Sequence, residues 1–315
     1  MSDRSPGTAD GDAADLESAS DRDADIDDAA DLESASDRDA DIDDAVAVSE
    51  ASNRGETTAT RRRVLARWGR VTAGAAVMVG LALLSLSLSP PWAGGPPAIV
   101  LATVGAVLAL ESILVFGLLA GGSPERDSAP APAPEPVSLA TWITVSRGAA
   151  IAVLAGFVVT APTAAGANVW LPAALFAVAA ALDAVDGAVA RATGRVTDFG
   201  ARLDVEMDAL VVLVGALVGV REGSLPALFL AVAGARYLFV AGRWWRRRRG
   251  RPVFELPPNR LRRPLGALAM LAVWLALLPV PGDAVSSAFA AAVAVPFLAN
   301  FCWDWFGVTG RVGGE

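Results

Sequence analysis

From residue 61 onward the chain alternates between long apolar stretches and short breaks rich in arginine, proline or glycine. Eight apolar stretches, at 71–89, 98–120, 140–161, 169–187, 203–220, 224–242, 264–281 and 285–303, each approach the ~20 residues a helix needs to cross a bilayer. When the intervening loops are assigned alternately to two sides, Arg61, Arg62, Arg63, Arg67, Arg70, Arg191, Arg195, Arg246 to Arg249, Arg251, Arg260, Arg262 and Arg263 fall on one side and Arg221 on the other. The positive-inside rule then predicts a multi-pass cell-membrane protein with both termini cytoplasmic. A Pro/Ala-rich linker at 122–138 divides the pattern. The expected fold is all-α integral membrane: a transmembrane hairpin over 61–121, the linker, a six-helix membrane domain over 139–306 and a C-terminal tail over 307–315.

Residues 1–60 follow a different pattern. The string ADLESASDRDADIDDA at 14–29 recurs unchanged at 30–45. Rich in Asp, Ala and Ser and free of aromatics, it cannot bury enough apolar surface to offset its chain entropy, so a disordered acidic tail is expected. It has neither the basic start nor the apolar centre of a signal peptide. A calcium- or partner-binding arm is the functional reading of such a run; a solvated tail is the plainer one.

Composition sharpens the division. The formal charge of −8 splits into −15 for residues 1–60, with 19 acidic and 4 basic side chains, and +7 for the rest, with 15 and 22. The tail is acidic and the body basic, as cytoplasmic membrane loops are. The single cysteine, Cys302, excludes an internal disulfide, and the absence of histidine removes His-dependent triads and most zinc sites. Acid–base or metal chemistry must therefore rest on carboxylates. Every basic residue is Arg, which fits a GC-rich prokaryotic source.

Such carboxylates occur together in DAVDGAVARATGRVTDFGARLDVEMD, which begins at Asp183. Asp183 and Asp186 are spaced i,i+3, and Asp204 and Asp208 i,i+4, so each pair shares a helical face. A carboxylate at mid-bilayer costs at least ~2.5 kcal/mol on the insertion scale, and four within this segment call for a compensating cation. The first pair lies near a helix C-terminus, where the macrodipole disfavours anions further. Oxygen-only ligands select a hard ion, Mg²⁺ or Mn²⁺, and two such ions would form a clamp for phosphate oxygens. Gly187 and Gly200 permit close approach of a nucleotide to the backbone, and Arg191 can pair with diphosphate oxygens.

The frame Asp183-x2-Asp186-Gly187-x2-Ala190-Arg191-x8-Gly200-x3-Asp204-x3-Asp208 resembles the complete motif of the CDP-alcohol phosphatidyltransferase family. The resemblance extends over about residues 139–306 and implies a six-helix, usually homodimeric membrane enzyme of phospholipid biosynthesis. Such an enzyme moves a phosphoalcohol group, phosphatidyl or archaetidyl, from a CDP-linked lipid donor to a polar alcohol acceptor and releases CMP. Its partners would be these substrates and the lipid bilayer, with no nucleic acid. Carried over by position, Asp183, Asp186, Asp204 and Asp208 would be metal ligands, with Asp208 also the catalytic general base, and Gly187, Arg191 and Gly200 would line the CDP site. Arg147, Arg236 and Arg260 are candidates for an acceptor phosphate.

The chain departs from the pattern in places. Many members open the core with Asn-x2-Thr-x2-Arg; Thr144 and Arg147 fit, whereas Thr141 stands in place of Asn. Val205, Glu206 and Met207 occupy positions where small residues or Pro are common, and arginines replace the lysines that often follow the fourth core helix. Glu206 lies about 200° around a helix from Asp204 and is expected to face away from the metals. Trp244 and Trp245 with Arg246 to Arg249 read as an interfacial belt and basic anchor, and Glu111 as a solitary carboxyl between helices. The alternative function is an intramembrane divalent-cation transporter or channel built on the same carboxylates, which requires ionisable groups at several depths.

Overall fold

The computed structural model describes residues 61–88, 92–120, 139–160, 167–193, 198–256 and 258–311. The acidic repeat, the linker at 122–138 and residues 312–315 lie outside the described residues. All regular structure among the described residues is helical, and the helices pack within the compact unit Val64–Glu315. They are α1 (Arg61–Leu86), α2 (Ala98–Ala120), α3 (Leu139–Gly156), α4 (Leu171–Thr193), α5 (Asp198–Glu222), α6 (Phe229–Ala233), α7 (Ala235–Arg248), α8 (Arg262–Leu277) and α9 (Asp283–Val308). A short 3₁₀ turn, Ala167–Trp170, leads into α4.

Three of these, α1, α2 and α9, are long and apolar enough to cross a membrane. Two shorter apolar stretches, Ile143–Gly156 and Leu171–Val185, lie in α3 and α4. In α4 and α5 the apolar run is shortened by the aspartates expected to bear the chemistry. Large apolar side chains stand outward on the longest helices, with Leu81 60%, Ile113 67% and Val295 67% exposed. Such an exterior is the reverse of a soluble protein's and suits hydrocarbon surroundings.

The core forms around α3 and α5. Every residue from Arg147 to Phe157 is buried, so the run of Gly, Ala, Ile, Val, Leu and Phe that follows Arg147 is covered on all sides. A helix apolar on all faces belongs in an interior. It packs most extensively against α4 and also against α2 and α5, while α5 additionally meets α6 and α8, and α8 pairs with α9. Gly215 shows why small residues are needed here: a Cβ there would stand 2.6 Å from Val273 Cγ1 on α8 and 2.9 Å from the Phe176 ring on α4. Three helices converge on one hydrogen atom.

The apolar stretch 224–242 forms two helices instead of one. Pro226 and the left-handed Gly223 (φ 84°) delay helix formation to Phe229, and α6 passes into α7 at Gly234. Gly234 N–H still donates to Leu230 O (2.8 Å) and its carbonyl accepts from Leu238 N–H (3.0 Å), so α6 joins α7 with little loss of backbone bonding. α7 then continues through Trp244 and Trp245, over whose rings Arg248 and Arg249 stack at 4.3 and 4.1 Å. Both tryptophans are half-exposed, and each is covered on one face by its cation–π partner.

Gly215→Ala tests the packing. The added methyl has no room among Val273 and Phe176 and is expected to destabilise the detergent-solubilised protein by about 1–3 kcal/mol, measured by thermal unfolding. An unchanged melting temperature would contradict this three-helix contact.

Candidate functional site

The aspartates from α4 and α5 meet an arginine from α3. Arg147 is a charged residue in an otherwise apolar helix, and its side chain is only 5% exposed. Burying a guanidinium there requires anions around it. Its Nη1 donates to Asp183 Oδ1 at 2.5 Å and to Asp204 Oδ1 at 2.8 Å, and its Nη2 donates to Asp208 Oδ1. One side chain thus joins three helices through three charge-assisted bonds, using the fork geometry that distinguishes Arg from Lys.

The carboxylates are less enclosed than their partner. Asp183, Asp204 and Asp208 side chains are 27%, 47% and 37% exposed, so the arginine forms the floor of the site and each carboxylate keeps an open side. One oxygen from each of the three lies within 4.8 Å of the others. With these aspartates ionised, one guanidinium leaves two negative charges uncompensated. The set is all oxygen, compact, over-negative and accessible, which is the donor chemistry of a hard divalent cation. The residues therefore fit a divalent metal.

Asp204 and Asp208 share a face of α5 as their i,i+4 spacing predicts, and Asp183 approaches from the second half of α4. Asp186 and Arg191 belong to α4 and Gly200 to the first turn of α5, but their side-chain positions lie outside the described residues. Gly187 occupies a half-buried position on α4 one residue beyond Asp186. The connection 194–197 between these helices also lies outside the described residues.

Glu206 faces away from the aspartates, as its angle around α5 predicts, and is met there by Arg236 of α7. Arg236 Nε donates to Glu206 Oε2 at 3.1 Å, and Nη2 donates to Oε1, a bidentate pair. Arg260 is exposed in the segment between α7 and α8. Thus of the three candidate arginines for an acceptor phosphate, Arg147 and Arg236 are held by carboxylates and Arg260 stands at the surface.

Two features escape a reading of the motif. The first is the part played by Arg147 as common partner of the aspartates; its signal is a lone arginine amid the apolar residues of α3. The second is Asp304, buried near the end of α9, which accepts from Arg262 Nε (2.8 Å) and Nη2 (3.0 Å) and from Asn259 Nδ2 (3.1 Å). It fastens the start of α8 to α9, and its signal is a carboxyl in the last turns of an apolar helix, with an arginine-rich loop elsewhere in the chain to pair with it. Cys302 is exposed, and Trp305 packs edge-on against Phe239, consistent with a packing role for this helix end.

A family model described as CDP-alcohol phosphatidyltransferase matches residues 137–299, a region that contains α3 to α8, most of α9 and all the clustered carboxylates. No curated protein and no solved structure matches the chain.

Removing the arginine tests the electrostatic account. Arg147→Gln keeps a polar side chain but strands three mutually repelling carboxylates, and the expected result is a loss well above the ~1 kcal/mol of an exposed pair. Thermal unfolding measures it, and Arg147→Lys, with one point charge, should recover only part. Wild-type stability in Arg147→Gln would contradict the role of the triple pairing.

Proposed function

We infer the reaction from one premise, that the chain belongs to the CDP-alcohol phosphatidyltransferase family. That membership supports transfer of a phosphoalcohol group from a CDP-alcohol donor. Beyond it, we propose a multi-pass enzyme of the cell membrane, with six spans in residues 139–306, both termini cytoplasmic and a homodimeric assembly. Its donor is a CDP-linked phosphatidyl or archaetidyl lipid, its acceptor a polar alcohol, and its products a phospholipid and CMP. The observation that carries this reading is the convergence of Asp183, Asp204 and Asp208 from two helices onto one open site, at the spacings of the family's motif.

Within that reading each residue has a task. Asp183, Asp186, Asp204 and Asp208 would hold Mg²⁺ or Mn²⁺, as two ions, which when bound polarise the phosphoryl group and neutralise charge on the departing phosphate. Arg147 draws three of the carboxylates together and offsets their repulsion, so that they are placed before a substrate arrives. Gly187 and Gly200 leave room for the nucleotide, and Arg191 pairs with its diphosphate. Asp208 accepts the proton of the attacking hydroxyl; with no histidine in the chain, a carboxylate is the available base. Arg147 and Arg236 would have to release a carboxylate to receive an acceptor phosphate, which leaves Arg260 as the arginine of the three with an exposed side chain.

The test is direct. Purified protein incubated with a CDP-lipid, Mg²⁺ and a panel of polar alcohols should release CMP, and chelation of the metal should stop it. Asp208→Asn is expected to lower the rate by about 10²–10⁴, the span of a lost general base. Absence of CMP with every acceptor, or an undiminished rate in Asp208→Asn, would exclude the proposal.

A further inference from the structure

The family region begins at residue 137, yet the α3 helix that carries Arg147 is packed on one side by α2, which lies outside it. α2 lays Val100, Val104, Glu111 and Val115, its buried residues, toward the interior. Two glycines of α3 let it come close: a Cβ at Gly156 would stand 3.1 Å from Val100 Cγ1, and one at Gly148 would stand 2.9 Å from Glu111 Oε2. The two helices run antiparallel, since residues later in α2 meet residues earlier in α3. The Glu111 carboxyl therefore rests directly against the backbone of the residue that follows Arg147.

Glu111 is 4% exposed and its Oε1 makes no hydrogen bond among the described residues. An ionisable group buried so fully in an apolar setting is costly, and packing alone does not call for one. Beside it a cavity of about 20 Å³ is lined by residues of α1, α2, α3 and α5, among them Thr72, Ser112, Thr144 and Met207, the last adjacent in sequence to Asp208. The same level is tied to α1, because Trp68 Nε1 donates to Ser112 O and Oγ at 3.0 Å and the Thr72 and Ser112 hydroxyls bond at 2.9 Å. Arg147 Nε is buried and makes no hydrogen bond among the described residues, so the guanidinium is held at its Nη atoms by the three aspartates and at its root by the position of α3.

We propose that Glu111 is a positioning residue for Arg147: wedged against Gly148, it sets the depth and rotation of α3, and so makes the α1–α2 hairpin a working part of the aspartate site. Its consequence for turnover rests on the transferase reading; its consequence for metal binding does not. Gly148→Ala pushes a methyl into the Glu111 carboxyl, Glu111→Asp withdraws that carboxyl by one methylene, and the double variant exchanges one volume for the other.

The experiment uses the full chain in detergent, comparing wild type, both single variants and the double. It reads the Mn²⁺ concentration at the midpoint of the metal-induced rise in melting temperature, together with kcat and KM for CMP release from a CDP-diacylglycerol. Gly148→Ala is expected to shift the Mn²⁺ midpoint several-fold and to lower kcat by about tenfold with little change in donor KM, as a small misplacement of catalytic groups does. Glu111→Asp should move both in smaller measure and decides the question if Gly148→Ala does not fold. The double variant should return toward wild type. A merely structural contact would lower the melting temperature while leaving the Mn²⁺ midpoint and kcat of the folded protein unchanged, and that result, or a double variant no better than the worse single, would overturn the proposal. Should wild type release no CMP, the transferase reading fails, while the Mn²⁺ midpoint still decides the positioning claim.

Discussion

The site depends on one buried guanidinium. Asp183, Asp204 and Asp208 repel one another at close range; Arg147 alone among the described residues is bonded to all three. Because its partners lie on α4 and α5 while it lies on α3, the same interaction that gathers the carboxylates also fixes the mutual placement of three helices. Charge compensation and architecture are here one constraint. With the carboxylates ionised the compensation is incomplete, one positive charge against three negative, so negative charge remains on their open faces.

The rest of the interior serves this arrangement. α3 can carry a charged residue at its centre because everything after it, from Ala149 to Phe157, is apolar or glycine and buried, anchoring the helix by packing. Gly215 lets α4, α5 and α8 close together beyond the aspartates of α5, and Gly148 and Gly156 let α2 close on α3. Elsewhere, two further carboxylates in the apolar body have dedicated partners: Glu206 pairs with Arg236, and Asp304 with Arg262 and Asn259. Each pair joins two helices, so polar residues act as specific fasteners in a protein whose apolar surfaces alone would not select one packing.

The carboxylate geometry is legible in the sequence because it is local. A spacing of four residues places Asp204 with Asp208 by helix periodicity alone, and the same arithmetic turns Glu206 away from them; Asp186 belongs to α4 with Asp183, but its side chain lies outside the described residues. What periodicity cannot express is contact at long range. Arg147 lies 36, 57 and 61 residues from its three partners, and no spacing rule connects it to them. Arg236 is for the same reason visible as a charge in an apolar stretch but not as the partner of Glu206, 30 residues away. The helices are legible as apolar stretches, yet 224–242 breaks at Gly234, where a glycine and an upstream proline outweigh an even hydropathy.

Family and geometry together give the reaction, and the chain's own departures leave the acceptor to experiment. Glu206 converts Arg236 from a lone cation into half of a neutral pair, which changes the electrostatic setting on the far side of α5 from the aspartates. Mass spectrometry of lipid extracts tests most directly whether the Arg147-organised aspartates transfer a phosphoalcohol group to a polar alcohol in the membrane. The comparison sets a host expressing the wild-type chain beside the same host expressing Asp208→Asn. A new phospholipid head group is expected in the first extract and its loss in the second; identical lipid profiles, with both proteins present in the membrane, would contradict the transfer.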